Sequence, residues 1–212
     1  MNQVYFGTIA SYDDLDLFLA DAETTSPEPQ RELAEVPGRD GDLDLSYGLS
    51  PETHYKNRQI TLNFVLKDFQ RQWQEKFSNI MNLIHGQRYD VVIEPDTDVY
   101  WKAFCIVQKT KSDRNKGTVV IDLDCEPYAY KDYSVTKTAT SGGVSVTIPI
   151  TRRTDVPTVT SAANITITKD GTVYAFDAGT HRNPELRLTK GNNTLTIKGS
   201  GSVTIAYKDG TL

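Results

Sequence analysis

Gln59-Ile60-Thr61-Leu62-Asn63-Phe64-Val65-Leu66 has the alternation of a strand, with Ile60, Leu62, Phe64 and Leu66 sharing one face. Directly after it, apolar Phe69, Trp73, Phe77, Ile80, Met81 and Ile84 recur every third or fourth residue. The repeat changes from two residues to about 3.6, so a helix between Asp68 and Gly86 turns one stripe toward a core. Asp68 suits its N-cap and Gly86 its C-terminal stop. Beyond the helix, Tyr89 to Glu94 reads as a strand ended by Pro95, and Asp96-Thr97-Asp98 as a turn into a strand over Val99 to Gln108. A polar loop, Lys109 to Gly117, is expected next, then a half-buried strand over Thr118 to Glu126 with Val119, Ile121, Leu123 and Cys125 inward. Upstream, Gln3 to Ile9 and Leu43-Asp44-Leu45 read as short strands. Residues 11 to 35, with Asp13-Asp14-Leu15-Asp16 and Ser26-Pro27-Glu28-Pro29, show no period and read as an irregular arm or loop. Hairpins plus one helix imply a sheet packed against that helix, an α+β arrangement.

The whole chain has 212 residues, 38% hydrophobic and 24% charged, enough to bury a sizeable core in one large or two small domains. Of its 20 aromatic residues only Tyr174, Phe176 and Tyr207 follow Ser134, while Thr and Gly become dense beyond Thr136. A domain boundary near residue 133 is expected, giving domains 1–133 and 134–212 joined directly. The second domain reads as all β. Strand candidates are Val144–Ile150, Val156–Thr160, Asn164–Lys169, Thr172–Phe176, Glu185–Leu188, Thr194–Lys198 and Ser202–Tyr207, separated by turn residues at the spacing of a sandwich or small barrel. Lys169-Asp170-Gly171 and Lys208-Asp209-Gly210 carry Asp-Gly turn signals. The fold expected is thus mainly β with one main helix.

The net charge of -5 conceals an asymmetry. Residues 1 to 50 hold 11 acids against Arg31 and Arg39, giving -9; residues 51 to 133 balance at 12 and 12; residues 134 to 212 carry nine bases and five acids, giving +4. Ends of opposite sign suit attraction between copies or to a partner, or else a solvated acidic face. The acidic balance argues against a general nucleic-acid binder. No stretch approaches the roughly 18 apolar residues of a membrane span, and Met1 to Gly7 lacks the basic-then-apolar pattern of a secretory leader.

Catalytic and metal patterns are absent. Cys105 and Cys125 lie on the two strands of one expected hairpin, symmetric about Asn115 and inward-facing. A disulfide is conceivable there, but without a secretory leader two reduced, buried thiols are expected. His54, His85 and His181 are scattered and lack ligand spacing. Asp40-Gly41-Asp42-Leu43-Asp44 fails as a calcium loop, because its sixth position is Leu45 and its twelfth Pro51. No nucleophile elbow, phosphate loop or dinucleotide fingerprint occurs, and no cofactor is expected. The Lys109 to Lys116 run reads as a hairpin loop kept soluble by its charges. Tyr174 and Phe176 share a strand face where core packing is expected ahead of sugar docking.

Val36-Pro37-Gly38-Arg39-Asp40-Gly41-Asp42-Leu43-Asp44-Leu45-Ser46, followed by Tyr55-Lys56-Asn57-Arg58-Gln59-Ile60, resembles the amino-terminal signature of phage distal tail proteins. Later features agree in order: Leu83-Ile84-His85-Gly86, Val99-Tyr100-Trp101-Lys102-Ala103, Asp124-Cys125-Glu126-Pro127-Tyr128-Ala129-Tyr130, and the closing strands from Gly191 to Ile197 and Val203 to Tyr207. Pro37 fixes φ while Gly38 and Gly41 permit left-handed backbone, which presents Arg39 and Asp40 at a tight bend. The resemblance implies an α+β ring-forming first domain and a galectin-like or jelly-roll-like outer sandwich. It implies a homohexameric ring in the virion of a long-tailed phage of Gram-positive hosts, assembled in the host cytoplasm. That ring would join the tail tube protein to a tail-associated hub or lysin protein and offer its outer domains to receptor-binding proteins. Arg39, Asp40, Tyr47 and Tyr55 become candidate subunit-interface residues, and Tyr174 and Arg182 candidate partner-docking residues. No membrane or sequence-specific nucleic-acid partner is implied. This chain lacks the long second-domain insertion of some relatives, so direct host attachment is not expected. A two-domain carbohydrate-binding module is the main alternative, and a hydrolase assembled from distant carboxylates the third.

Overall fold

The computed structural model describes residues 3–46, 53–66, 73–113 and 116–212, with the side chains of all but 109–113 and 116. The chain divides into two compact units, Met1–Ala129 with Leu212, and Tyr130–Thr211. In chain order the first unit contains β1 (Val4–Phe6), β2 (Ile9–Ala10), β3 (Leu17–Thr24), β4 (Leu33–Ala34), β5 (Leu43–Asp44), β6 (Arg58–Leu66), α1 (Trp73–Ile84), β7 (Arg88–Ile93), β8 (Tyr100–Asp113) and the first part of β9 (Lys116–Ala139). The rest of β9 belongs to the second unit, with β10 (Val144–Ile150), β11 (Thr158–Ser161), β12 (Ile165–Lys169), β13 (Thr172–Phe176), β14 (Gly179–Arg182), β15 (Gly191–Gly199) and β16 (Gly201–Thr211). Mainly β with one described helix, the chain has the expected fold class.

In the first unit the strands run in the order β2-β1-β7-β8-β9-β6-β3, with all given pairings antiparallel. β6 is the centre of this unit's packing. Ile60, Leu62, Phe64 and Leu66 are at most 2% exposed, and Ile60, Leu62 and Phe64 stand opposite Leu123, Ile121 and Val119 of β9, all three fully buried. Ile80 and Ile84 of α1 press into the same core, with Trp73, Phe77 and Met81 packed half-buried against it. The helix seen starts at Trp73; the Asp68 cap and Phe69 lie outside the described residues. At its far end His85 N donates to Met81 O at 3.1 Å, and the chain is tied at once to β8: Gly86 N donates to Cys105 O at 2.8 Å and Cys105 N to Gln87 O at 2.9 Å.

Several sequence expectations need correction. Gln3 to Ile9 is two strands split by a turn at Gly7-Thr8. Residues 11 to 35 are not irregular throughout, because β3 pairs with β6 from Leu17↔Leu66 to Thr24↔Ile60. Only Leu17 and Leu19 point into the core, and a register shift between Leu19 and Asp21 ends the alternation. Lys109 to Gly117 is no open loop, since β8 runs to Asp113 and β9 resumes at Lys116.

The second unit is a sandwich. The carboxy-terminal part of β9, β16, β11 and β14 form one sheet, and β10, β15, β12 and β13 the other. Ile148, Ile167, Leu195 and Ile197 from one sheet and Val159, Val203 and Ile205 from the other meet in its core. The β12–β13 turn has Asp170 at φ 50 and Gly171 at φ 81, the two left-handed residues that an Asp-Gly hairpin demands. Lys208-Asp209-Gly210 is not a turn: it lies inside β16, and the buried Asp209 carboxylate accepts from Thr151 N at 2.9 and 3.1 Å. Glu185–Leu188 is no strand either; only Leu188 pairs, as an isolated bridge to Asp155, while an unforeseen strand, β14, precedes it.

Cys105 and Cys125 are free and buried. Burial pushes each thiol up to about 12, and the neighbouring Cys105 and Asp124 add to the rise at Cys125. Both thiols are therefore expected to resist Ellman's reagent in the native protein at mildly alkaline pH and to react once it is unfolded in guanidinium. Leu62→Ala is expected to lower unfolding free energy by about 2–5 kcal/mol in urea titration, because it opens a cavity between β6 and β9.

Candidate functional site

Past Thr24 the first unit sends out an arm. Thr25 N donates to Gln59 O at 3.0 Å, Lys56 N to Glu28 O at 2.8 Å and Gln30 N to His54 O at 2.8 Å, and Pro29 bridges Tyr55. Farther out, β4 and β5 pair Leu33↔Asp44 and Ala34↔Leu43 and enclose the tip. These two short strands form a separate two-stranded sheet, so Leu43 and Asp44 do not join the large sheet.

Side chains fix this thin ribbon where backbone pairs are few. Arg31 Nη2 and Nε donate to Asp44 Oδ2 at 2.9 and 3.2 Å, Ser46 N donates to Asp44 Oδ1 at 3.0 Å, and Glu32 N donates to Ser46 Oγ at 2.8 Å. The hydrogen bonds from Ser46, then Arg31, hold the Asp44 carboxyl at about 2, below its ordinary 3.8. At the tip Gly38 has φ 83 and Gly41 φ 76, with Arg39 and Asp40 exposed between them. Leu33, Val36 and Leu45 are also exposed, at 46%, 38% and 39%. Three large apolar side chains on a protruding ribbon lack the cover that a folded monomer normally gives them.

The candidate residues named from sequence fall in different places. Arg39 and Asp40 are at the arm's tip. Tyr55 is at its base, half-buried and edge-on to Tyr128 at 6.4 Å and 77°. Tyr47 lies outside the described residues. Tyr174 packs against the sandwich core and its hydroxyl donates to Glu185 O at 3.3 Å. Arg182 is exposed on β14, where its Nε donates to Val156 O at 3.0 Å. It lines a groove of about 360 Å³ with Tyr133, Asp155, Tyr207 and Lys208.

Sequence reading did not anticipate that groove. Tyr133 and Tyr207 come from distant strands and stack at 5.4 Å and 16°. Its two carboxylates face cations: Asp132 pairs with Lys208 at 3.3 Å, and Asp155 Oδ1 stands 3.7 Å from Arg182 while Oδ2 accepts from Lys208 N at 2.7 Å. Neutralised carboxylates of this kind suit structural pairing better than acid/base chemistry. Among the described residues no group of three or more His, Cys, Asp or Glu is placed to hold a metal ion, and no helix is long and apolar enough to cross a membrane.

This architecture is the fold of the phage distal tail (Dit) proteins. The crystal structure of SPP1 Dit (gp 19.1), described as a paradigm of the hub adsorption apparatus in phages infecting Gram-positive bacteria, superimposes over 100% of both chains with a TM-score of 0.71 and 13% identity. A Schizosaccharomyces pombe Cnp3 cupin domain covers 89% of each chain at 10% identity with a TM-score of only 0.27. A designed double-stranded β-helix covers 38% of this chain and 99% of its own at 11% identity, with a TM-score of 0.26. No family model and no curated protein matches the sequence.

The Asp44 clamp gives a pH prediction. Because the folded carboxyl sits at about 2 and the free one at 3.8, its contribution to the arm is complete above about pH 4 and is lost as pH falls toward 2. Protection of the Glu32 and Leu45 amides, measured as exchange relative to the intrinsic rate at each pH, is expected to fall over that interval, and Asp44→Asn to lower it at neutral pH while strand β6 stays protected.

Proposed function

We propose that this chain is a structural subunit of a phage tail tip. It forms a hexameric ring between the tail tube protein and a hub or tail-associated lysin protein, and its second units are docking surfaces for receptor-binding or baseplate proteins. The observation that carries this reading is the likeness to SPP1 Dit over the full length of both chains, two units included. The exposed arm supplies what self-association needs: apolar Leu33, Val36 and Leu45 beside the charged Arg39 and Asp40. The split between -9 in residues 1 to 50 and +4 in residues 134 to 212 favours head-to-tail contact, which closes into a ring when the rotation fits. Such a ring works by geometry, as a pore and a platform, and requires no catalytic residue. An acidic lining would keep DNA from adhering in passage. In this reading the protein resides in the virion's tail tip.

Light scattering coupled to size exclusion tests it. The expected species has the mass of six 23.7 kDa chains, its population rising with concentration. Charge reversal at Arg39 or Asp40 is expected to shift that population toward monomer by about tenfold in concentration. A chain that stays monomeric up to millimolar concentration, with and without a tail tube protein, would count against the ring.

A further inference from the structure

Five polar or charged residues are buried among the described residues: Ser11, Arg58, Ser161, Asn193 and Asp209. Four have clear partners within the chain. Ser11 Oγ accepts from Val4 N at 3.0 Å, Ser161 Oγ donates to Asp177 O at 3.3 Å, Asn193 exchanges bonds with Thr189, and Asp209 accepts from Thr151 N. Arg58 is the exception. It is 7% exposed and opens β6 on the face that continues into Ile60 and Leu62. Its guanidinium carbon stands 4.8 Å from the centre of the Trp101 ring, yet its Nε has no hydrogen-bond partner and no described carboxylate forms an ion pair with it. Cys125, directly across the ladder, is a raised thiol and no counter-ion. A buried Nε without an acceptor costs a free subunit stability, whereas a forked donor stacked on an indole is prearranged to receive a carboxylate.

The complementary groups are on the same chain. Glu35, Asp40 and Asp42 are exposed on the arm, and none has an ion-pair partner among the described residues. We propose that Arg58, stacked on Trp101, is a carboxylate socket that receives Asp40 or Asp42 from the arm of a second copy. This rests on the self-assembly reading above and names the contact that closes it. An Arg backed by Trp, its Nε buried and only 7% of the residue still exposed, is the kind of group that dominates an interface. The socket also explains why an orphaned charge is kept at the end of an apolar face, since its acceptor arrives only on assembly.

The full chain and its Arg58→Met, Arg58→Lys, Asp40→Asn/Asp42→Asn and combined Arg58→Met/Asp40→Asn/Asp42→Asn variants are compared by sedimentation over a concentration series and by thermal unfolding of the monomer. Arg58→Met is expected to raise the half-assembly concentration at least about tenfold, with Arg58→Lys intermediate. It is expected to leave the monomer's unfolding temperature unchanged or higher, because an unsatisfied buried charge has been removed. The combined variant should assemble no worse than Arg58→Met alone. Arg58→Met assembling like the parent would overturn the socket and leave the ring reading standing. A fall in monomer stability with Arg58→Met would overturn it too, by showing an internal structural role, as would additive losses in the combined variant. A parent chain that never assembles would overturn both.

Discussion

The pairing of β6 with β9 is the constraint on which the first unit depends. Nine consecutive pairs, from Arg58↔Cys125 to Leu66↔Gly117, set every second side chain of both strands into one core. A slip of one residue would turn Ile60, Leu62 and Phe64 outward together, so burial fixes the register as firmly as the hydrogen bonds do. What lies on either side inherits its place from this pair. Ile80 and Ile84 of α1 have a surface to cover, β3 has an edge to join, and the arm has a base at Gln59 and Thr25. The two thiols are filling in this core.

The second unit solves a different problem. Its sandwich buries aliphatic side chains from both sheets and uses side-chain bonds where its strands end: Asn193 spans the Thr189 backbone, and Asp209 reaches Thr151. Charged groups on its surface are paired locally, as Arg182 with Asp155 and Lys208 with Asp132. The arm of the first unit is unlike this. Its carboxylates are paired along the stem, Glu28 with Lys56 and Asp44 with Arg31, while Asp40 and Asp42 at the tip have no ion-pair partner among the described residues. Charged and apolar groups are displayed on the ribbon beyond these bonds.

How much of this the sequence carried varied with solvent exposure. β6 and α1 were readable because one face of each is buried, which writes a period of two or about 3.6 into the residues. β3 was not, because it is an edge strand whose residues from Ala20 onward are exposed, and the register shift after Leu19 cancels even the short alternation that precedes it. The outer reach of β8 and β9 was hidden because the charged run from Lys109 to Lys116 carries no apolar alternation in the sequence. Asp209-Gly210 misled because the same dipeptide can serve a turn or, with its carboxylate turned inward, a strand. At the arm, glycines at 38 and 41 were enough to place Arg39 and Asp40 at a tip. Arg58 escaped notice although its signal was present: continuing the β6 alternation two residues backward from Ile60 puts a charged residue on the buried face.

The composition of β3 has a consequence for the protein before it meets any partner. Among the described residues β3 pairs only with β6, which leaves the other long side of its backbone without a strand partner there. That side is guarded by Asp21 and Glu23, both exposed. Another copy of β3 laid alongside would set carboxylates against carboxylates, which repels the indiscriminate edge-to-edge stacking that leads to fibres. The acidity of this stretch thus disfavours β3-to-β3 stacking between copies at high concentration.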